Sequence, residues 1–277
     1  MRSFLSRLAV CSWSLQPQSP AQLVERLDSV GLQAVQLDLD PFREQPAVWG
    51  EAEAVFGRAN IQVVSGMFRT VGEDYTSPET IRVSGGFVPD ATWEENWRNL
   101  QTTVRTAQRF GLKLVTTHAG FLPHDPQDPA FAKLVERLRK VARLLAAAGM
   151  TLGFETGQES GPALKAFLEQ LGEPNVAVNF DPANMILYEN GDPIQALRLV
   201  GPRVRGCHLK DAVASKVPGT WGQEVAVGTG QVDWPAFFRT LREIGFAGHL
   251  CFEHESGDRR VEVIRAGRRF VEKLLGA

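Results

Sequence analysis

Four short apolar runs, each with an acid or an imidazole at or near its carboxyl end, constrain this chain more than any other feature. They are Thr151-Leu-Gly-Phe-Glu155, Val176-Ala-Val-Asn-Phe-Asp181, Val204-Arg-Gly-Cys-His208-Leu-Lys210 and Gly248-His-Leu-Cys-Phe-Glu253. An acid at the end of an apolar strand is expensive to bury unless a cation or a metal accompanies it. Strand side chains alternate faces, so the proposal can be tested by parity. With Glu253 inward, Cys251 and His249 are also inward, and Leu250 and Phe252 face out. With Asp181 inward, Val176, Val178 and Phe180 face out; Glu155 inward turns Leu152 and Phe154 outward; Cys207 and Leu209 flank His208. The outward sets are mostly apolar, as a sheet face covered by helices requires. Glu155, Asp181, His208 and Glu253 therefore converge at one end of four successive strands, which describes a divalent metal site.

These runs belong to a longer rhythm. Strand-like segments over 8–12, 34–38, 61–67 and 112–118 precede them. Helical segments alternate with the strands over 20–30, 49–59, 93–110, 128–148, 161–171, 193–200, 234–244 and 260–275. Eight strands in strict alternation with eight helices predict a (β/α)₈ TIM barrel. The 277 residues suit one such domain, which typically needs about 250. An open doubly wound sheet would want a glycine-rich phosphate loop after the first strand, and Ser12-Trp-Ser-Leu-Gln-Pro17 is not one. Two stretches break the rhythm: 68–92, rich in glycine and proline without helical period, and 212–232. The first follows the third strand and should overhang the carboxyl end of the barrel, where active sites sit, with Phe87 as a candidate lid residue.

A formal net charge of -2 and a pI near 6.2 leave no basic surplus for nucleic acid or an anionic membrane surface. Cys11, Cys207 and Cys251 make an odd count inside predicted strands, which fits buried reduced thiols and a cytoplasmic location. The apolar run after Arg2 and Arg7 is too short and polar for a signal peptide, and no stretch reaches the roughly 20 apolar residues of a membrane span. Three oxygen ligands and one nitrogen favour Mn²⁺ or Mg²⁺, with Co²⁺ or Zn²⁺ also accommodated.

The segments Gly-Phe-Glu155-Thr-Gly-Gln-Glu, Asn-Phe-Asp181-Pro-Ala-Asn, Gly-Cys-His208-Leu-Lys-Asp and Cys-Phe-Glu253 resemble the metal-site signatures of the xylose isomerase-like sugar isomerase/epimerase superfamily, its ketose 3-epimerases in particular. The resemblance runs over nearly the whole chain and is strongest from 150 to 255. It implies that Glu155, Asp181, His208 and Glu253 bind one divalent metal, and that Glu155 and Glu253 also act as an acid/base pair. The implied reaction is proton transfer next to a carbonyl of a sugar or keto-sugar through a metal-bound enediolate. It also implies association between copies through the outer helices. Two departures bear on the substrate: ketose 3-epimerases often carry a histidine where Asn184 stands, and an arginine soon after the metal-binding histidine, whereas 211–216 has none. These departures count against a free ketose and leave a 3-oxo-glycoside, an inosose or a short keto acid as alternatives; with no phosphate cradle in view, an unphosphorylated substrate is expected.

Further substrate-binding candidates are His118 at the end of the fourth strand, Lys210 with the parity of His208, Glu159 in the loop after Glu155, Trp13 just past the first strand, and Asn184. Each has a plainer reading: a core histidine, a lysine ion-paired with Asp211 or Glu224, or a surface loop residue. His249 should lie deep in the barrel and His124 at the surface. Among rival functions, a metal-dependent endonuclease would need more histidines and a basic face. A lyase acting on a keto-sugar or inosose would use the same site. A non-catalytic sugar-binding relative would not need both glutamates.

Overall fold

The computed structural model describes residues 3–123 and 127–276; His124 lies outside the described residues. The barrel strands are β1 (Leu8–Cys11), β2 (Ala34–Asp38), β3 (Gln62–Met67), β4 (Leu114–Thr117), β5 (Thr151–Glu155), β6 (Val176–Phe180), β7 (Val204–Leu209) and β10 (His249–Phe252). Between the last two lie β8 (Asp211–Val213) and β9 (Gln223–Val225), an antiparallel pair outside the barrel. The eight barrel strands close in the order β1-β10-β7-β6-β5-β4-β3-β2, every pairing parallel. All eight strands therefore present their carboxyl ends at one rim.

Parity is as the sequence indicates. Leu152, Phe154, Val176, Val178, Phe180, Leu250 and Phe252 join the large apolar layer between sheet and helices, while Ala9, Cys11 and Cys251 form a small cluster inside the barrel. All three cysteines are buried and free. Local signals set the helix starts: Ser19 accepts a hydrogen bond from the Gln22 N–H ahead of helix Pro20–Val30, and Ser160 does the same for Gly161–Leu171. Among the described residues no helix is long and apolar enough to cross a membrane.

Three expectations need correction. The helix over 49–59 is instead Pro41–Glu44, Pro46–Trp49 and Ala52–Arg58; two prolines each open a new turn, and a proline in a helix interior would break it. The stretch 68–92 contains helix Pro78–Ser84, started by a reciprocal Ser77/Thr80 capping box, and the long helix begins at Asp90 rather than Trp93. Phe87 is not a lid residue: it is fully buried, 6.2 Å from the Phe68 ring and edge-on to Trp93. Arg137 holds its carbonyl at 3.0 Å and the Phe87 N–H donates to Ala119 O, which ties this segment to the core.

Candidate metal centre and active-site pocket

Glu155 ends β5, Asp181 follows β6, His208 lies near the end of β7 and Glu253 follows β10. These strands are consecutive in the barrel. His208 Nδ1 lies 3.3 Å from Glu155 Oε1, 3.5 Å from Asp181 Oδ2 and 3.2 Å from Glu253 Oε2. One potential ligand atom from each of the four residues lies within 4.8 Å of all the others. Their exposures are 7, 0, 0 and 4% in chain order. Glu155 Oε2, Asp181 Oδ2 and His208 Nδ1 have no hydrogen-bond partner. Buried polar atoms are ordinarily satisfied, so this convergent, unsatisfied donor set fits a divalent cation of the oxygen-preferring kind.

Surrounding groups orient the cage. His208 Nε2–H donates to Gln36 Oε1 at 2.8 Å, and Gln36 Nε2 donates to Thr116 Oγ1 at 2.8 Å. That chain leaves Nδ1 facing the carboxylates, as the ring nitrogen free to ligate a metal once its proton is lost. The Asn179 amide lies beside the same Nε2, at 2.9 Å. Asp181 Oδ1 caps the helix Pro182–Leu187, accepting from Ala183 N and Asn184 N at 2.8 and 3.0 Å, which turns Oδ2 into the cage. Glu253 accepts from Trp13 Nε1 at 2.7 Å and from Lys210 at 3.0 Å. Glu155 accepts from Asn184 Nδ2 at 3.0 Å, and His118 Nε2 stands 4.0 Å from its other oxygen.

Charge states follow from these neighbours. Burial pushes the Glu253 carboxyl up, but His208 and Lys210 outweigh it and hold it well below the usual range. For Glu155 burial is likewise outweighed, by His208 and His118, and the carboxyl is held low. Asp181 goes the other way: burial raises it to about 6 against the pull of the neighbouring His208. Burial disfavours the charged His208 and Lys210, yet the facing carboxylates, Glu253 foremost, hold both well above their ordinary values. Without a metal, these carboxylates hold His208 toward its protonated form.

The cage opens into a cavity of about 740 Å³. Trp13, His118, Asn184 and Lys210 line it, so these four candidates are brought together. Lys210 bridges Glu253 and Glu255, not Asp211 or Glu224. Asp211 is turned away: it accepts from Ala212, Gly228, Gly230 and Val232 N–H and from the Trp234 indole, and so anchors the loop after β9. Glu159 lies apart from the main cavity, buried and accepting from Leu122 N at 2.7 Å. A chain that turns back under the loop gives its carboxylate a backbone partner. His249 lines a small cavity at the other end of the barrel. Sequence reasoning missed Gln36 and Asn179, although each shares the inward parity of its strand. It also missed Tyr75, Tyr188 and Trp221 on the outer cavity wall.

An eight-stranded parallel barrel with a buried acid–histidine cage at the carboxyl ends of four consecutive strands defines a TIM-barrel protein with a candidate metal centre. Residues 19–274 match the family model described as xylose isomerase-like TIM barrel, and the chain belongs to that family, one of sugar epimerases and isomerases. An L-ribulose 3-epimerase of Mesorhizobium japonicum is 26% identical over 140 residues, covering 48% of this chain and 43% of that protein; the match spans less than half the relative's length. A xylose isomerase domain protein from Planctomyces limnophilus is 33% identical, with a TM-score of 0.83 over 91% of this chain and 90% of that one. A probable 3-DHS dehydratase from Bacillus anthracis shares the fold at 16% identity, with a TM-score of 0.73 over 96% of this chain and 98% of that one.

Proposed function

We propose that this protein is a divalent-metal-dependent sugar isomerase or epimerase, with Glu155, Asp181, His208 and Glu253 as metal ligands and Glu155 and Glu253 as the acid/base pair. The observation that carries the reading is the convergence of one ligand atom from each of the four buried residues within 4.8 Å at the floor of the cavity, with Asp181 Oδ2 and His208 Nδ1 left without a hydrogen-bond partner there. A divalent ion there supplies Lewis-acid stabilisation of the negative charge that develops on substrate oxygen. Mn²⁺ or Mg²⁺ suits three carboxylates and one imidazole.

The two glutamates stand on β5 and after β10, with β6 and β7 between them around the barrel, so their carboxylates approach the floor from different sides. Both are held in the ionised form by their neighbours, as a proton acceptor must be. One takes the proton next to the carbonyl; the other, ionised at rest, first takes up a proton from solvent and then delivers it to the opposite face, which inverts the centre. Return to the adjacent carbon instead interconverts aldose and ketose. Lys210 and Trp13 fix the Glu253 carboxylate, and Asn184 fixes that of Glu155. Asn184 thus positions a catalytic group and faces substrate at the cavity wall. His118 is a second cavity-wall donor beside Glu155.

Proton NMR in D₂O, with Mg²⁺-loaded and then chelated protein, tests the proposal against a panel of ketoses, 3-oxo-glycosides and inososes. The expected result is metal-dependent deuterium incorporation next to the carbonyl, lost in Glu155→Gln and Glu253→Gln. Loss of a β-oxygen as water in the same spectra would reassign the reaction as a lyase. Exchange that persists in both variants would refute the roles given to the glutamates.

A further inference from the structure

The cavity is larger than one sugar ring needs. Its 740 Å³ would hold about 25 water molecules at ~30 Å³ each. A hexose has twelve heavy atoms, bonded closer together than water molecules sit, so there is room for two such rings.

The outer part of the cavity has a distinct chemistry, and a helix sets its distance from the cage. Helix Pro182–Leu187 starts at Asp181 in the cage. Asn184 touches Glu155, and Tyr188 N–H donates to Asn184 O at 2.9 Å. Tyr188 therefore sits one turn farther out, about 6 Å along the axis, on the same face. The Trp221 ring centroid lies 4.9 Å from that of Tyr188, the two rings edge-on at 84°. Aromatic wall thus begins about one ring's width from the carboxylates.

The polar edges of this wall are already engaged. Trp221 Nε1–H donates to Tyr75 O at 3.0 Å, and Tyr75 Oη–H donates to Glu73 Oε2 at 3.1 Å. What Trp221 and Tyr75 offer a ligand is ring surface, and Tyr75 is 46% exposed. Two glycines allow this closure. A Cβ at Gly157, whose φ is +143°, would come within 2.7 Å of Asn184 Cβ and 3.0 Å of the Tyr188 ring. At Gly222 it would meet Val213 O at 2.5 Å and Leu187 at 3.2 Å. The lining disfavours a phosphate: of its cations Arg69 is committed to Asp38 at 3.0 Å and Asp40 at 3.6 Å, Lys210 bridges Glu253 and Glu255, and Arg260 Nε donates to Gly257 O, while Glu73, Glu224 and Glu255 add negative charge.

We infer that the substrate is a glycoside: one ring, bearing the carbonyl, meets the cage, and a second, uncharged ring with an apolar face, sugar or aryl, packs against Tyr188 and Trp221. This rests on the proton-transfer reading above and deepens it by naming the substrate class.

Calorimetry on the Mg²⁺-loaded full chain with methyl β-glucoside, phenyl β-glucoside and cellobiose tests the outer wall apart from the chemistry, because none of these carries a ketone. Phenyl glucoside or cellobiose should bind roughly tenfold tighter than methyl glucoside, and whichever does so identifies the second ring. Trp221→Ala should remove that advantage and Trp221→Phe should keep most of it, with melting temperatures reporting that both variants are folded. Equal affinity for all three ligands, no binding of either two-ring ligand, or an advantage untouched by Trp221→Ala would overturn the inference. The D₂O exchange assay separately decides the proton-transfer reading.

Discussion

Replacing Asp181 by Asn separates the metal role of this residue from its structural one. Oδ1 caps the helix Pro182–Leu187, and the Asn side-chain oxygen can keep both bonds; Ala would forfeit the cap at about 1 kcal/mol. Oδ2, unpartnered in the cage, becomes an NH₂ that cannot ligate a cation. The carboxyl sits at about 6, raised by burial from the usual 3.8. The metal-free folded protein therefore holds a proton that the unfolded chain releases. Stability from this group falls as pH rises between about 4 and 6, and the deficit is complete above that window. A difference of about 2 in pKa, at about 1.4 kcal/mol each, makes the deficit about 3 kcal/mol. Asp181→Asn removes it, so in chelator at pH 7.5 the variant should melt above wild type by roughly 6–12 °C. At pH 4 the two should melt together. A metal at a thousandfold over its Kd adds about 4 kcal/mol to wild type alone, and the order reverses. A variant that melts below wild type in chelator at pH 7.5, or that gains as much from Mn²⁺, would refute the reasoning.

The other predictions concern the groups around the cage. Gln36→Leu should lower metal affinity about 10–100-fold by removing the partner of His208 Nε2, measured by competition with a fluorescent chelator. Metal binding should release protons and strengthen as pH rises, because burial is outweighed by Glu253 in keeping metal-free His208 protonated well above its usual range; calorimetry in two buffers of different ionisation enthalpy reads this directly, and identical heats would count against it. Asp211→Ala should strip the loop after β9 of the carboxylate that gathers its N–H groups, at a cost of about 3 kcal/mol, and expose 213–233 to limited proteolysis while the barrel survives.

Much of this arrangement is legible in the sequence because strand parity is local. Glu155, Asp181, His208 and Glu253 all share the inward face that the apolar residues beside them define, and each strand carries its own evidence. Gln36 and Asn179 follow the same rule on β2 and β6 and could have been found by it. Phe87 shows where the rule stops: its burial depends on Phe68, Trp93 and Arg137, which nothing in its own segment announces. Glu159 has a backbone donor thirty-seven residues away. The aromatic wall is illegible for the same reason, since Tyr75, Tyr188 and Trp221 come from separate segments joined only by the closed barrel.

The central claim, one metal held by four side chains, is tested most directly by an anomalous difference map from crystals soaked in Mn²⁺. The account predicts one strong peak bonded to His208 Nδ1 and to carboxylate oxygens of Glu155, Asp181 and Glu253, absent from crystals of Asp181→Asn. No peak there in wild type, or an ion bound elsewhere in the cavity, would contradict it.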